Sequence, residues 1–142
     1  MYETILVAFS FSDPGRAALA AGAELARREG ARLHVFHALD YRLMHDDPAH
    51  PACVAACLET EDRFRNEEGE GLKDVQAFFE CRPDDPAMAV CKLARDLPAS
   101  LIVIGVHRSK LARISYTGIT IIENAPCPVL VVPLPHARRT AA

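Results

Sequence analysis

LIVIGVHRSKLARISYTGITIIENAPCPVLVVP, residues 101–133, places two apolar runs of strand length on either side of one short helix-like stretch. The runs LIVIGV (101–106) and PVLVVPL (128–134) are nearly continuous rather than alternating, the pattern of strands buried on both faces. A strand, a helix and a strand in that order predict a parallel pair joined by a crossover.

Where the helix begins decides how the preceding loop is read. If Gly118 opened it, only Ile119 to Asn124 would remain, under two turns and too short to cover a sheet. If Ser115 caps it, the helix runs 116–124, the serine oxygen accepts an early backbone N–H, and Ile114 staples onto Ile119. The second reading is the consistent one.

Working outward, the same alternation fills the chain. Apolar runs lie at 5–9, 33–39 and 75–79, with helix-like stretches at 13–29, 52–68 and 86–96. In the first helix Ala18, Ala21, Gly22 and Leu25 share a face. Ser12-Asp13-Pro14 and Asp85-Pro86 mark helix starts, since an oxygen-bearing cap precedes a proline whose missing N–H costs nothing there. Gly30 supplies a left-handed stop for the first helix, and Pro126 ends the last. The expectation is an α/β domain: a five-stranded parallel sheet with helices on both faces, spanning 1–135, with a short tail at 136–142.

Composition narrows the function classes. Of 142 residues, 50% are apolar and 25% charged, and a net charge of −3 gives no general attraction to nucleic acid or anionic membrane. No apolar run approaches the ~20 residues of a membrane span, and the N-terminus lacks the pattern of a signal peptide, so a cytoplasmic protein is expected. Five scattered cysteines (Cys53, Cys57, Cys81, Cys91, Cys127) read as reduced thiols rather than a disulfide framework.

In an open parallel sheet, ligands bind beyond the carboxyl ends of strands, where strand order reverses. Those tips are 9–12, 38–40 and 105–113. None carries GxGxxG or GxxxxGK[ST], which removes a dinucleotide fingerprint and a P-loop.

ILVAFSFSDPGRAAL, LHVFHAL, LIVIGVHR and NAPCPVLVVP, in that order, resemble the universal stress protein family over essentially the whole chain. The resemblance implies a flavodoxin-like fold, also described as adenine nucleotide alpha hydrolase-like, usually homodimeric and cytoplasmic. It also implies a split between members that bind ATP and members resembling universal stress protein A that do not. ATP-binding relatives carry Gly-x-x-Gly, nine residues, then Gly-Ser or Gly-Thr, so that backbone amides reach the phosphates. With Ser115 as the cap, this loop is about three residues shorter than theirs. Its inner glycine is missing and Tyr116 stands where a small hydroxyl residue is expected. The family's aspartate after strand one is Ser10, and the next glycine is Phe11.

The resemblance thus implies the branch that does not bind ATP, with Phe11 and Arg108 expected to occupy ligand space. Ala8, Ser10, Ala38, Gly105, Arg108, Ser115 and Tyr116 form the candidate pocket. No cofactor is expected; the alternative is an adenine nucleotide, held by a switch or a slow hydrolase using the same cleft.

Other constellations are weaker. Arg108, Lys110 and Arg113 form a compact basic patch that is either an anion site or solvated charge. His50, Cys53 and Cys57 share a helical face, but the spacing matches no standard zinc module. His34, His37 and His107 lack a visible nucleophile partner, so no catalytic set is named. The last strand is expected at a sheet edge, and family dimers pair through it, which implies a homodimer around Val129–Val132. Its partners are otherwise expected to be proteins.

Overall fold

The structure is a computed structural model that describes residues 1–106 and 115–134. Among the described residues nine principal elements alternate: β1 (Thr4–Ala8), α1 (Asp13–Glu29), β2 (Arg32–Leu39), α2 (Pro51–Glu68), β3 (Ala77–Pro83), α3 (Pro86–Asp96), β4 (Leu101–Val106), α4 (Tyr116–Asn124) and β5 (Val129–Pro133). Short 3-10 turns lie at Tyr41–Leu43 and Glu70–Leu72.

All strands are parallel, in the order β3-β2-β1-β4-β5. The chain steps outward from β1 to β3, then crosses back to place β4 on the other side of β1. That reversal puts the switch point between β1 and β4, where a parallel sheet opens a crevice at its carboxyl end.

The pleat sorts the core into two layers. Ile5, Val7, Leu33, Val35, Leu101 and Val103 face one side, where α1 covers them with Ala18, Leu19, Ala23 and Ala26 and α2 contributes Phe64. Leu6, Phe36, Ile102 and Ile104 face the other, under α3 (Ala87, Val90, Cys91, Ala94) and Ile121 of α4. The near-continuous apolar runs are apolar because both faces are covered. Each fully buried aliphatic side chain contributes about 1.5–3 kcal/mol through removal from water.

The expected helix boundaries agree with the structure. Ser12 accepts from Gly15 N, Asp85 from Met88 N and Ser115 from Gly118 N, each capping its helix. Gly30 takes φ 66°, the left-handed conformation that closes α1. Capping by Ser115 settles the register of the final βαβ unit; its expected staple partner Ile114 lies outside the described residues. The third strand departs from expectation, running Ala77–Pro83 rather than 75–79. It is a sheet edge covered on one face only, so Glu80 and Arg82 alternate with Phe79 and Cys81, and a search for continuous apolar runs stops too early.

Candidate functional site

A cleft of about 320 Å³ opens at the switch point. The tips of β1, β2 and β4 form its floor through Ala8, Phe36, Ala38, Ile104 and Gly105, and the first two turns of α3 and α4 form its wall through Pro86, Val90, Thr117, Gly118 and Ile121. The space exists because Ala8 and Ala38 are small where larger side chains would have met α3 and α4.

Polar character comes from hydroxyls and main chain. Ser115 and Ser10 line the cleft; Ser115 Oγ accepts from Gly118 N at 3.1 Å, and Ser10 Oγ lies 2.7 Å from Ser12 Oγ. Thr117 adds a third hydroxyl. The amino ends of α3 and α4 both meet here, so their dipoles give the cleft a positive bias without a cationic side chain among the described lining residues.

Gly105 has a packing reason of its own. A Cβ there would overlap the Pro14 carbonyl oxygen, and one on Gly15 would overlap that of Ser10. The first turn of α1 therefore lies directly on the tips of β1 and β4, and this close approach demands glycine whatever the cleft holds.

The structure brings Ala8, Ser10, Ala38, Gly105 and Ser115 together around the cleft. Two expectations need correction. Tyr116 does not reach the cleft: as the first residue of α4 it projects outward and is 84% exposed. Phe11 does not fill ligand space either. Its ring packs edge-on to Phe9 (4.9 Å) and His37 (5.4 Å) on the α1/α2 side, with the Arg63 guanidinium 4.0 Å above it. Arg108, Lys110, Arg113 and His107, like the 136–142 tail, lie outside the described residues.

The cleft's apolar wall, Val90, Ile104 and Ile121, is missed by motif matching, because hydrophobes in a core carry no mark that one edge faces a cavity. Phe9 and His37 border the cleft too, but their rings turn to the opposite face, as the pleat requires for neighbours of Ala8 and Ala38. His37 Nδ1–H donates to the Phe9 carbonyl at 2.9 Å, and burial holds its pKa below the ordinary histidine value, with Arg63 adding to the depression and the Phe9 bond opposing it.

None of this makes a nucleophile and base pair. Burial pushes the Cys57, Cys81, Cys91 and Cys127 thiols up, away from thiolate chemistry, and all five cysteines are free. Among the described residues no group of three or more His, Cys, Asp and Glu is placed to hold a metal ion. His50, a member of the candidate metal face, spends Nδ1 on capping α2 through Ala52 N at 3.1 Å. No described helix is long and apolar enough to cross a membrane.

The model of the universal stress protein family matches residues 1–133. The chain belongs to that family. A universal stress protein encoded 3′ of a QAH/OAS sulfhydrylase in Thermus aquaticus is 31% identical over 140 residues, covering 93% of this chain and 99% of the relative. Among solved structures, a universal stress protein from Burkholderia pseudomallei superposes with a TM-score of 0.71 at 29% identity, covering 94% of this chain and 97% of its own. Another from Archaeoglobus fulgidus, solved in complex with dAMP, gives a TM-score of 0.67 at 16% identity over 93% and 98%. At that identity the likeness bears on the fold alone. The flavodoxin-like α/β architecture expected of the family is the one observed.

Proposed function

We propose that this universal stress protein is a non-enzymatic, cytoplasmic homodimer whose switch-point cleft senses an adenine nucleoside or its monophosphate, and that it belongs with the members that do not hold ATP. The observation that carries this reading is the cleft itself: about 320 Å³, apolar on one wall, hydroxyl-bearing on the other, and facing two helix amino ends. A purine and its sugar suit the apolar wall, and one phosphate suits the helix ends. The dAMP-bound relative supports a ligand of this size in this fold.

Ser10 in place of an aspartate and a shortened loop argue against a triphosphate cradle. With Phe11 on the other face, we read the pocket as degenerate in its phosphate contacts rather than closed by that ring. No described residue set supplies a nucleophile for hydrolysis.

Thermal melting and calorimetry with adenosine, AMP and Mg·ATP test the proposal. Adenosine and AMP should raise the melting temperature, by about 2.7 kcal/mol of stabilisation at one hundred times Kd. ATP should bind no more tightly than AMP. Ala38→Phe, which puts a ring into the cleft, should abolish the response. ATP binding tenfold tighter than AMP would sink the reading, and so would no response to any of the three.

The dimer proposal rests on β5. Ile102 N–H donates to Pro128 O and Leu134 N–H to Val106 O, so residues of that parity bond to β4 while Val129, Val131 and Pro133 turn their main chain outward. Leu130 is 37% exposed on the same strand. An apolar edge of this kind is normally paired. Val131→Pro deletes an outward N–H and leaves the bonds to β4 intact. We expect it to convert a dimer into a folded monomer by light scattering at micromolar concentration; a wild-type monomer under those conditions refutes the dimer.

A further inference from the structure

The segment between β2 and α2 carries an arrangement the cleft does not use. His45 and His50 stack with ring centroids 4.0 Å apart and planes 22° from parallel. His45 Nδ1 accepts from Asp47 N at 2.9 Å, and His50 Nδ1 accepts from Ala52 N at 3.1 Å, which makes His50 the N-cap of α2. A ring nitrogen that accepts bears no hydrogen, so this geometry requires both imidazoles neutral with the proton on Nε2.

We propose that the His45–His50 stack is a proton-operated latch, holding the 45–50 loop against the first turn of α2 while both Nδ1 atoms accept and releasing it when the rings are protonated. Protonation turns each Nδ1 from an acceptor into a donor aimed at a backbone N–H. It also sets two like charges face to face. His50 meets a further penalty, because a cation at a helix amino end opposes the dipole and the first turn of α2 holds no acidic residue.

The surrounding charges act against the latch as well as with it. On the loop, the Asp47 carboxylate accepts from Ala49 N (2.9 Å), Asp40 pairs with Arg42 (3.3 Å), and Asp46 is exposed. These carboxylates favour charged rings and oppose part of the latch. On α2 the first charge is Glu59, two turns on, and the nearer titratable groups are the Cys53 and Cys57 thiols, with Cys81 and His37 on the strands beneath. The buried Cys53 Sγ lies 3.7 Å from Asp47 O, tying the loop to the core until it opens.

Both acceptor contacts run from residue i to the N–H of i+2, the span that an Asn side chain makes in an Asx-turn, and Asn is also a favoured N-cap. The double variant His45→Asn/His50→Asn therefore keeps both acceptors and cannot protonate. Amide hydrogen exchange, corrected for intrinsic rates, is measured at pH 7.5 and 5.5. In the wild type, protection at Asp47 and Ala52 should fall about fivefold or more on acidification, as expected for a lost cap; in the variant it should stay level. Nitrogen shifts of the wild-type imidazoles give an independent readout, with Nδ1 of both rings unprotonated at pH 7.5. Equal protection at the two pH values, equal loss in the variant, or a protonated Nδ1 at pH 7.5 overturns the latch.

Discussion

At their carboxyl ends the same strands present a filled face and an open one. On the α1/α2 side, Phe9, Phe11, Phe64, Phe79 and His37 close on one another, Phe64 and Phe79 stacked at 4.0 Å and Arg63 laid over Phe11. On the α3/α4 side, alternate positions of the same strands carry Ala8 and Ala38, and a cleft results. One residue of register separates an aromatic plug from a ligand-sized space, so the shape of this end of the sheet is set by which face receives the small side chains. The two faces meet at Gly105 and Gly15, where α1 lies on the strand tips.

The largest effect is expected from disturbing that seam. Gly105→Val places a branched side chain where the Pro14 carbonyl stands, and backbone cannot yield as a flexible side chain would. We expect a loss above about 4 kcal/mol, or failure to fold, measured by urea unfolding. A folded protein within 1 kcal/mol of wild type by the same cost scale would mean that α1 sits further from β4 than described.

Emptying the filled face comes next. Phe64 is buried between Phe9 and Phe79, and Phe64→Ala should cost about 3–5 kcal/mol through lost burial and a residual cavity. The cleft is built from the other face, so ligand response in the surviving folded fraction should be retained. Loss of both together would show that the two faces are coupled and the contrast drawn between them is false.

Much of this contrast is legible in the sequence, and the misplaced residues explain the remainder. Helix starts follow from Ser12, Asp85 and Ser115, because a cap is local chemistry. Period two places Phe9 and Phe11 with Ile5 and Val7, and Ala8 and Ser10 opposite them; residue size and family position alone put Phe11 in the cleft with Ser10, and only the pleat separates them. Tyr116 is similar: its number adjoins the cap, but a helix turns about 100° per residue and carries it to solvent while Thr117 and Gly118 face inward. The edge strand β3 is blurred because one bare face admits charge. The His45–His50 stack has no sequence signal, since it arises from a loop path that no periodicity describes.

The smallest effect concerns the one titratable ring in the plug. Burial depresses the pKa of His37 in the folded protein below its unfolded value, with the Arg63 guanidinium acting in the same direction. As pH falls through about 6.5 the unfolded chain takes up its proton first, so stability declines there and levels off once the folded ring itself protonates. His34 is depressed by burial as well, and therefore contributes in the same window. The contribution of His37 must be read as a difference: His37→Asn keeps an N–H for the Phe9 carbonyl and cannot titrate. Its unfolding free energy should change less between pH 7.5 and 5.5 than that of wild type. Parallel profiles would place the ring in water rather than in the plug, and the filled face would then be open at its rim, much as the cleft is.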